Sequence, residues 1–385
     1  KSVIFLFTIL ISLISCQVSD DSKNKNGPNI IFIFADDLGY GDLSSFGAND
    51  ISTPNIDFIA DNGIKFTDFY SVSSVCTPSR AGMLTGRLPQ RFGLNGVLFP
   101  DSHTGMPSSE YTIAELLRDN GYNTGIIGKW HLGHKHEYLP LQQGFDSFFG
   151  IPYSNDMAST VYFRGNEVVD HFPDQSLMTK KLTEESIKFI ESNSENKFYL
   201  YLAHPMPHVP IYASEDFIGS SERGLYGDVI QELDWSVGKI VEILKDKNLL
   251  DNTMIIFSSD NGPWLNYGKW GGSAGPLREG KGTMWEGGAR VPCIMRWPEI
   301  ISPGQSISNI ASTIDIYPTI ANILDDKIER YANDGFSLLP LLNGEKNSNP
   351  RNELYYYYSE KLIAVRKEEW KLVFPHVYRS YKGAE

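Results

Sequence analysis

Four short apolar runs, each ending abruptly in charged or polar residues, restrict the folds open to this chain. The clearest is Asn29-Ile30-Ile31-Phe32-Ile33-Phe34-Ala35, which runs straight into Asp36-Asp37. A run of that length with no polar break reads as a strand covered on both faces. Residues 122–128 likewise run into Lys129-Trp130-His131, 197–203 into His204-Pro205-Met206-Pro207-His208, and 253–258 into Ser259-Asp260-Asn261-Gly262. Helix signals fill the intervals. Thr53-Pro54 offers an N-cap and a first-turn proline and Gly63 a stop, predicting a helix over 53–62; others are expected over 109–120, 183–193 and 221–247. The alternation predicts an α/β fold built on a large, mainly parallel sheet flanked by helices.

In open α/β sheets ligands bind beyond the carboxyl ends of the strands, so the four polar ends are expected to share one cleft. Taken singly, Asp37 or Asp260 reads as a cap or turn residue and His204 as a packed or solvent histidine. Their convergence is the stronger signal.

Composition sets the outer limits. The 385 residues are 41% hydrophobic and 21% charged, which is globular usage. With 34 Lys and Arg against 47 Asp and Glu, the net charge of −13 leaves no basic face, and nucleic acid is not an expected partner. Three cysteines, at 16, 76 and 293, exclude a small disulfide scaffold.

Each cysteine has its own reading. The apolar stretch Val3 to Ile14 is too short to span a bilayer and ends in Leu13-Ile14-Ser15-Cys16, which resembles the lipobox of bacterial lipoproteins. The resemblance implies a signal over 1–16, a lipid on Cys16 as the only membrane contact, and a polar tether over 17–28. It also implies export to the periplasm or surface of a Gram-negative bacterium, for which Ser19-Asp20-Asp21 looks like a surface-export tag. A plain secretory signal is the alternative. Lys1 in place of Met predicts a chain clipped at its start. Cys293, in Val291-Pro292-Cys293-Ile294, reads as a small buried thiol.

Cys76 opens Cys76-Thr77-Pro78-Ser79-Arg80, where Pro78 suits the first turn of a helix and Arg80 lies one turn on. By position alone this is a candidate thiolate, activated by a helix N-terminus and a guanidinium. The whole stretch, with Leu84-Thr85-Gly86-Arg87, resembles the signature of type I sulfatases, in which that cysteine becomes formylglycine. Ala35-Asp36-Asp37-Leu38-Gly39, Gly128-Lys129-Trp130-His131-Leu132-Gly133, Pro152-Tyr153-Ser154-Asn155-Asp156, Ser259-Asp260-Asn261-Gly262, Gly280-Lys281-Gly282 and Trp285-Glu286-Gly287-Gly288 also match. The likeness runs from about residue 29 to 370.

It implies the alkaline phosphatase-like sulfatase fold: a catalytic α/β domain over 29–345, and from 346 to 385 the start of a C-terminal subdomain with a small antiparallel sheet. Residues 362–367 and 370–374 are its expected hairpin, and a chain ending at Glu385 is shorter than the family norm. The resemblance further implies a maturation enzyme that makes formylglycine, and Ca²⁺, with Mg²⁺ as the alternative, held by Asp36, Asp37, Asp260, Asn261 and the modified Cys76. One hydroxyl of the hydrated aldehyde attacks sulfur and the alcohol departs; the second then expels sulfate. Arg80 and Lys129 are implied to hold the diol and its developing charge, and His131 to take the proton during sulfate release. His131 is expected two residues along an extended strand end from Lys129, on the same side. His208, followed by Val209-Pro210, is implied as general acid with Lys281 near the bridging oxygen, and Ser154 as a sulfate or substrate contact.

The expected activity is hydrolysis of sulfate esters on a sulfated carbohydrate. Alternatives are a phosphonate or phosphodiester hydrolase of the same superfamily and an inactive sulfated-glycan binder. Trp264, Tyr267, Trp270 and Trp285 crowd the segment after Asp260, and they suit either sugar stacking or a core.

Overall fold

The computed structural model describes residues 27–157, 160–171, 173–326, 333–345 and 348–377. The expected signal, Cys16 and nearly all of the tether lie outside the described residues. The strands are β1 (Asn29–Ala35), β2 (Ile64–Phe66), β3 (Phe69–Tyr70), β4 (Asn123–Lys129), β5 (Ser147–Ile151), β6 (Tyr162–Arg164), β7 (Glu167–Asp170), β8 (Phe198–Ala203), β9 (Thr253–Ser259), β10 (Cys293–Arg296), β11 (Gln305–Ile307), β12 (Ala311–Ser312), β13 (Glu353–Tyr358), β14 (Lys361–Lys367) and β15 (Trp370–Val373). The helices are α1 (Pro54–Asp61), α2 (Cys76–Thr85), α3 (Ile113–Asp119), α4 (Met178–Ser192), α5 (Leu225–Asp246), α6 (Glu286–Ala289), α7 (Ile316–Ile323) and α8 (Leu339–Leu342).

Ten strands form the large sheet in the order β11-β2-β10-β9-β1-β8-β4-β5-β6-β7. Its centre, β9-β1-β8-β4-β5, is parallel throughout; β10, β6 and β7 bring the antiparallel pairs, so the sheet is mixed at its flanks. This places the carboxyl ends of β1, β4, β8 and β9 side by side. Every residue of β1 is buried, with Ile30, Phe32 and Phe34 facing one apolar core and Ile31, Ile33 and Ala35 the other. The unbroken apolar run follows from helices covering both faces. β13, β14 and β15 make a separate antiparallel sheet, which includes the hairpin expected from the sequence.

Three helices begin away from their expected positions, for local reasons. α3 starts at Ile113 rather than near Ser109, because Thr112 and Glu115 bond each other's backbone N–H in a capping box. α4 starts five residues earlier than residue 183, extending its apolar face through the buried Met178 and Leu182. α5 starts only at Leu225, after Gly224 with φ +67°, while Asp228 accepts the N–H of Ser221 in the preceding turn.

The cap of α1 also differs. Thr53 occupies the N-cap position, but its side chain pairs with Ser44 and Asp57. The free N–H groups of Asn55 and Ile56 donate instead to Oδ1 of Asp234, on α5, at 2.9 and 2.8 Å. Burial pushes the Asp234 carboxyl up to about 6 from 3.8. The folded state therefore binds this proton more tightly, and stability from this group falls as pH rises from about 4 to about 6. Asp234→Ala is expected to cost about 1–3 kcal/mol by orphaning buried donors, and Asp234→Asn to keep an acceptor while flattening that pH slope. Thermal unfolding of the three proteins between pH 4 and 7 checks both.

Candidate active site

The four strand ends converge as the sequence predicts, and α2 closes the cleft from the side. Cys76 is the first residue of α2, and every residue of that helix is buried. Its thiol donates to Asp36 Oδ1 at 3.3 Å, and Lys281 Nζ lies 3.6 Å from Sγ. One ligand atom from each of Asp36, Asp37, Cys76 and Asp260 lies within 4.8 Å of the others. Asn261 joins them through Nδ2, which donates to Asp37 Oδ1 at 2.7 Å.

Buried cations balance the carboxylates. Lys129 pairs with Asp36, Lys281 with Asp37 at 2.8 Å, and Arg80 Nη2 with Asp260 at 2.9 Å and Asp36 at 3.4 Å. Arg80 also donates to the Lys129 carbonyl at 3.2 Å, so it lies against the carboxylates on the sheet side of the cluster. Burial opposes the charge on Asp36, yet Lys129, His208, Arg80 and Lys281 together hold its carboxyl well below the usual range. Burial and the nearby Asp36 push Asp260 up to about 7. Burial and Asp36 also raise the Cys76 thiol well above its ordinary value. The thiolate expected from helix position alone is therefore not favoured: a dry pocket beside a carboxylate outweighs the helix end and the lysines.

His131 reaches the site differently from the expected strand alternation. β4 ends at Lys129, and His131 adopts φ +60°, a left-handed turn. Its Nε2–H donates to the Leu98 carbonyl at 2.9 Å, leaving Nδ1 buried with no partner among the described residues. Burial and Lys129 lower its pKa well below 6.5, so the ring is neutral. Asp37 shares the left-handed backbone, with φ +64°. Thr77, overlooked in the sequence, fixes this corner: its hydroxyl donates to the His131 carbonyl at 2.9 Å and accepts from Leu98 N–H at 3.1 Å. Its place inside the cysteine motif was the only available signal.

His208 Nδ1–H donates to the Val209 carbonyl at 2.6 Å, and Nε2 faces Asp37 Oδ2 at 3.6 Å. Burial and Lys281 lower its pKa, against the pull of Asp37 and Asp36. Ser154 Oγ accepts from Lys129 Nζ at 3.1 Å and lies 3.5 Å from His208 Nδ1. Asn155, another residue without an expected role, donates to the His208 and Pro210 carbonyls and holds this turn. His204 stays apart, bonded to Ser236 at 3.2 Å, with burial lowering it to about 3. Cys293 is a buried thiol in β10.

Lys281 arrives on a loop that glycines allow to pack closely. A Cβ on Gly262 would lie 1.7 Å from the Gly287 carbonyl oxygen, so Asn261-Gly262 and the start of α6 touch backbone to backbone. Glu286, on α6, accepts from Tyr70 at 2.7 Å, Tyr356 at 3.3 Å and Lys371 at 2.8 Å, tying the small sheet to this loop. Trp285 lies under Arg278 at 3.7 Å, with the His376 ring 6.5 Å from it.

The donor set fits a hard cation: three carboxylates converge, and Asn261 Oδ1 is buried without a hydrogen-bond partner among the described residues. A pocket of fixed cations and oxygen ligands around a buried cysteine suits cleavage of an anionic ester.

A sulfatase family model matches residues 28–326, and a model described as N-sulphoglucosamine sulphohydrolase, C-terminal, matches 280–383. Human arylsulfatase A is 41% identical over 380 residues, covering 90% of this chain and 75% of the relative. Human N-acetylgalactosamine-6-sulfatase is 38% identical over 379 residues, covering 90% of this chain and 71% of the relative. A solved Bacteroides thetaiotaomicron sulfatase, described under the metabolism of multiple glycosaminoglycans, aligns with a TM-score of 0.85 at 31% identity, over 91% of this chain and 88% of its own. Fold and site thus define a sulfuric ester hydrolase of the alkaline phosphatase-like architecture. The chain belongs to the sulfatase family.

Proposed function

We propose that this enzyme is exported and removes sulfate from a sulfated carbohydrate, using a formylglycine made from Cys76 by a maturation enzyme and a divalent cation, Ca²⁺ by preference. The observation that carries the reading is the convergence of Cys76, three buried carboxylates and Lys281 in one cluster. Carbohydrate as substrate is supported by two relatives: the N-acetylgalactosamine-6-sulfatase by its name, and the Bacteroides protein by its link to glycosaminoglycans.

Asp36, Asp37, Asp260 and Asn261 would hold the cation, with an oxygen of the converted residue 76 replacing Sγ. When bound, the cation neutralises a sulfate oxygen and orients it. The formylglycine, once hydrated by addition of water to its aldehyde, would supply a hydroxyl as nucleophile. Lys129 and Lys281 keep positive charge beside residue 76, where negative charge gathers, and Arg80 fixes Asp36 and Asp260 in place. Ser154, held by Lys129, offers its hydroxyl at the same mouth.

The two histidines are suited to opposite tasks. With Nε2–H committed to Leu98, neutral His131 has a free lone pair on Nδ1 and can take a proton. His208 commits Nδ1–H to Val209, so as an acid it must carry its transferable proton on Nε2, where Asp37 favours the charged ring. That proton goes to the departing alcohol oxygen.

Mass analysis of the peptide containing residue 76 should show the lighter aldehyde in active protein, and Cys76→Ala should abolish turnover of sulfate esters. Full activity from unconverted cysteine, or turnover of phosphate esters alone in a side-by-side assay, overturns the reading.

Asp260→Ala should lose bound metal and activity together, because the remaining oxygens are too few to compete with water for a hard cation. Elemental analysis of the purified variant decides; unchanged metal content removes Asp260 from the ligand set.

His208→Ala should slow release of sugar alcohols roughly 10²–10⁴-fold, and nitrophenol far less, since a general acid matters most to a poor leaving group. His131→Ala should slow both esters alike. The reverse pattern exchanges the two roles.

A further inference from the structure

We infer that the hollow beside His208 binds the sugar next to the sulfated one, and that this neighbour is uncharged; the inference rests on the carbohydrate sulfatase reading above. The hollow has a volume of about 450 Å³, and its lining includes Pro210, Ile211, Tyr212, Tyr267, Trp270 and Asp156. It is continuous with the candidate active site in two ways. Its Val209–Tyr212 wall follows His208 directly in the chain. A run of rings also leads out from the site: Trp264 lies 5.4 Å from His208 and 4.3 Å below Lys281 Nζ, and Tyr267 lies 4.9 Å from Trp264. His208 and Lys281 are the groups assigned to the departing oxygen, so the rings extend on the leaving-group side.

The chemistry of the lining selects the occupant. Tyr212, Tyr267 and Trp270 are all more than a third exposed among the described residues, an open aromatic surface. A sugar ring presents a flat C–H face to such a surface and its hydroxyls to polar groups at the rim. Asp156 is the charged residue of the lining, able to accept from a hydroxyl and to repel a carboxylate or a second sulfate. Lys269 lies over the Trp270 ring, at 5.5 Å, and is not among the lining residues. An acidic neighbour sugar would thus meet repulsion without a compensating cation in the lining.

The test compares wild type with Tyr267→Ala and Trp270→Ala, both changes at exposed positions that the core does not require. The substrates are nitrophenyl sulfate, sulfated monosaccharides, sulfated galactan oligosaccharides with neutral neighbours, and chondroitin sulfate oligosaccharides with uronate neighbours. Wild type should show a higher kcat/KM on neutral oligosaccharides than on the corresponding monosaccharide. Each substitution should lower that value roughly 3- to 10-fold through KM, the scale of one lost aromatic contact, and leave nitrophenyl sulfate within about 2-fold. Equal losses on nitrophenyl sulfate, an advantage that survives both substitutions, or a preference for uronate neighbours overturns the subsite. A wild type that cleaves nitrophenyl sulfate but gains nothing from a neutral neighbour overturns the subsite alone. Absence of turnover on every sulfate ester overturns the sulfatase reading instead.

Discussion

Asp36 is fully buried at the end of β1, with Lys129 and Arg80 against its two oxygens, and the remaining site residues are arranged around that charge balance. An ionised carboxylate in a dry interior is tolerated only when cations and hydrogen bonds surround it. Asp37 and Asp260 bring two more carboxylates, and Lys281 and Arg80 answer them. Removing one partner would leave the others uncompensated, so the cluster acts as a unit rather than as a set of independent residues. The same crowding gives the site its chemistry, since fixed positive charge and hard oxygen ligands are already in place before an anionic ester enters.

Backbone carbonyls outside the cluster set the proton positions inside it. Leu98 takes the Nε2 proton of His131, and Val209 takes the Nδ1 proton of His208. Two rings of the same type therefore present different nitrogens, each directed by a loop that a further side chain holds: Thr77 for Leu98, and Asn155 for the turn at His208. Such supports are as necessary to the chemistry as the rings, because the identity of the exposed nitrogen depends on the bond made by the other.

The small C-terminal sheet contributes through Lys281. Glu286 gathers Tyr356 and Lys371 from that sheet and Tyr70 from β3, and it begins the short helix whose glycines pack on Gly262. The loop that carries Lys281 is therefore tied both to the small sheet and to β3. A loop this dense in glycine would otherwise carry a large conformational entropy.

The sequence by itself determined the parallel centre of the sheet and the membership of the cluster. Apolar runs such as residues 29–35 admit one reading when both faces must be covered, and polar residues at their carboxyl ends fall together wherever the strands are parallel. The cysteine motif placed residue 76 at a helix start because proline tolerates the first turn and little else in a helix. Tertiary structure decided what pattern cannot encode. It capped α1 with Asp234, from a helix 179 residues away, and turned His131 into the site through a left-handed residue. It raised the Cys76 thiol by burial, set His204 aside on Ser236, and put Trp285 under Arg278. Each of these depends on which groups lie within a few ångströms across long sequence separations, and both desolvation and hydrogen bonding are set at that range.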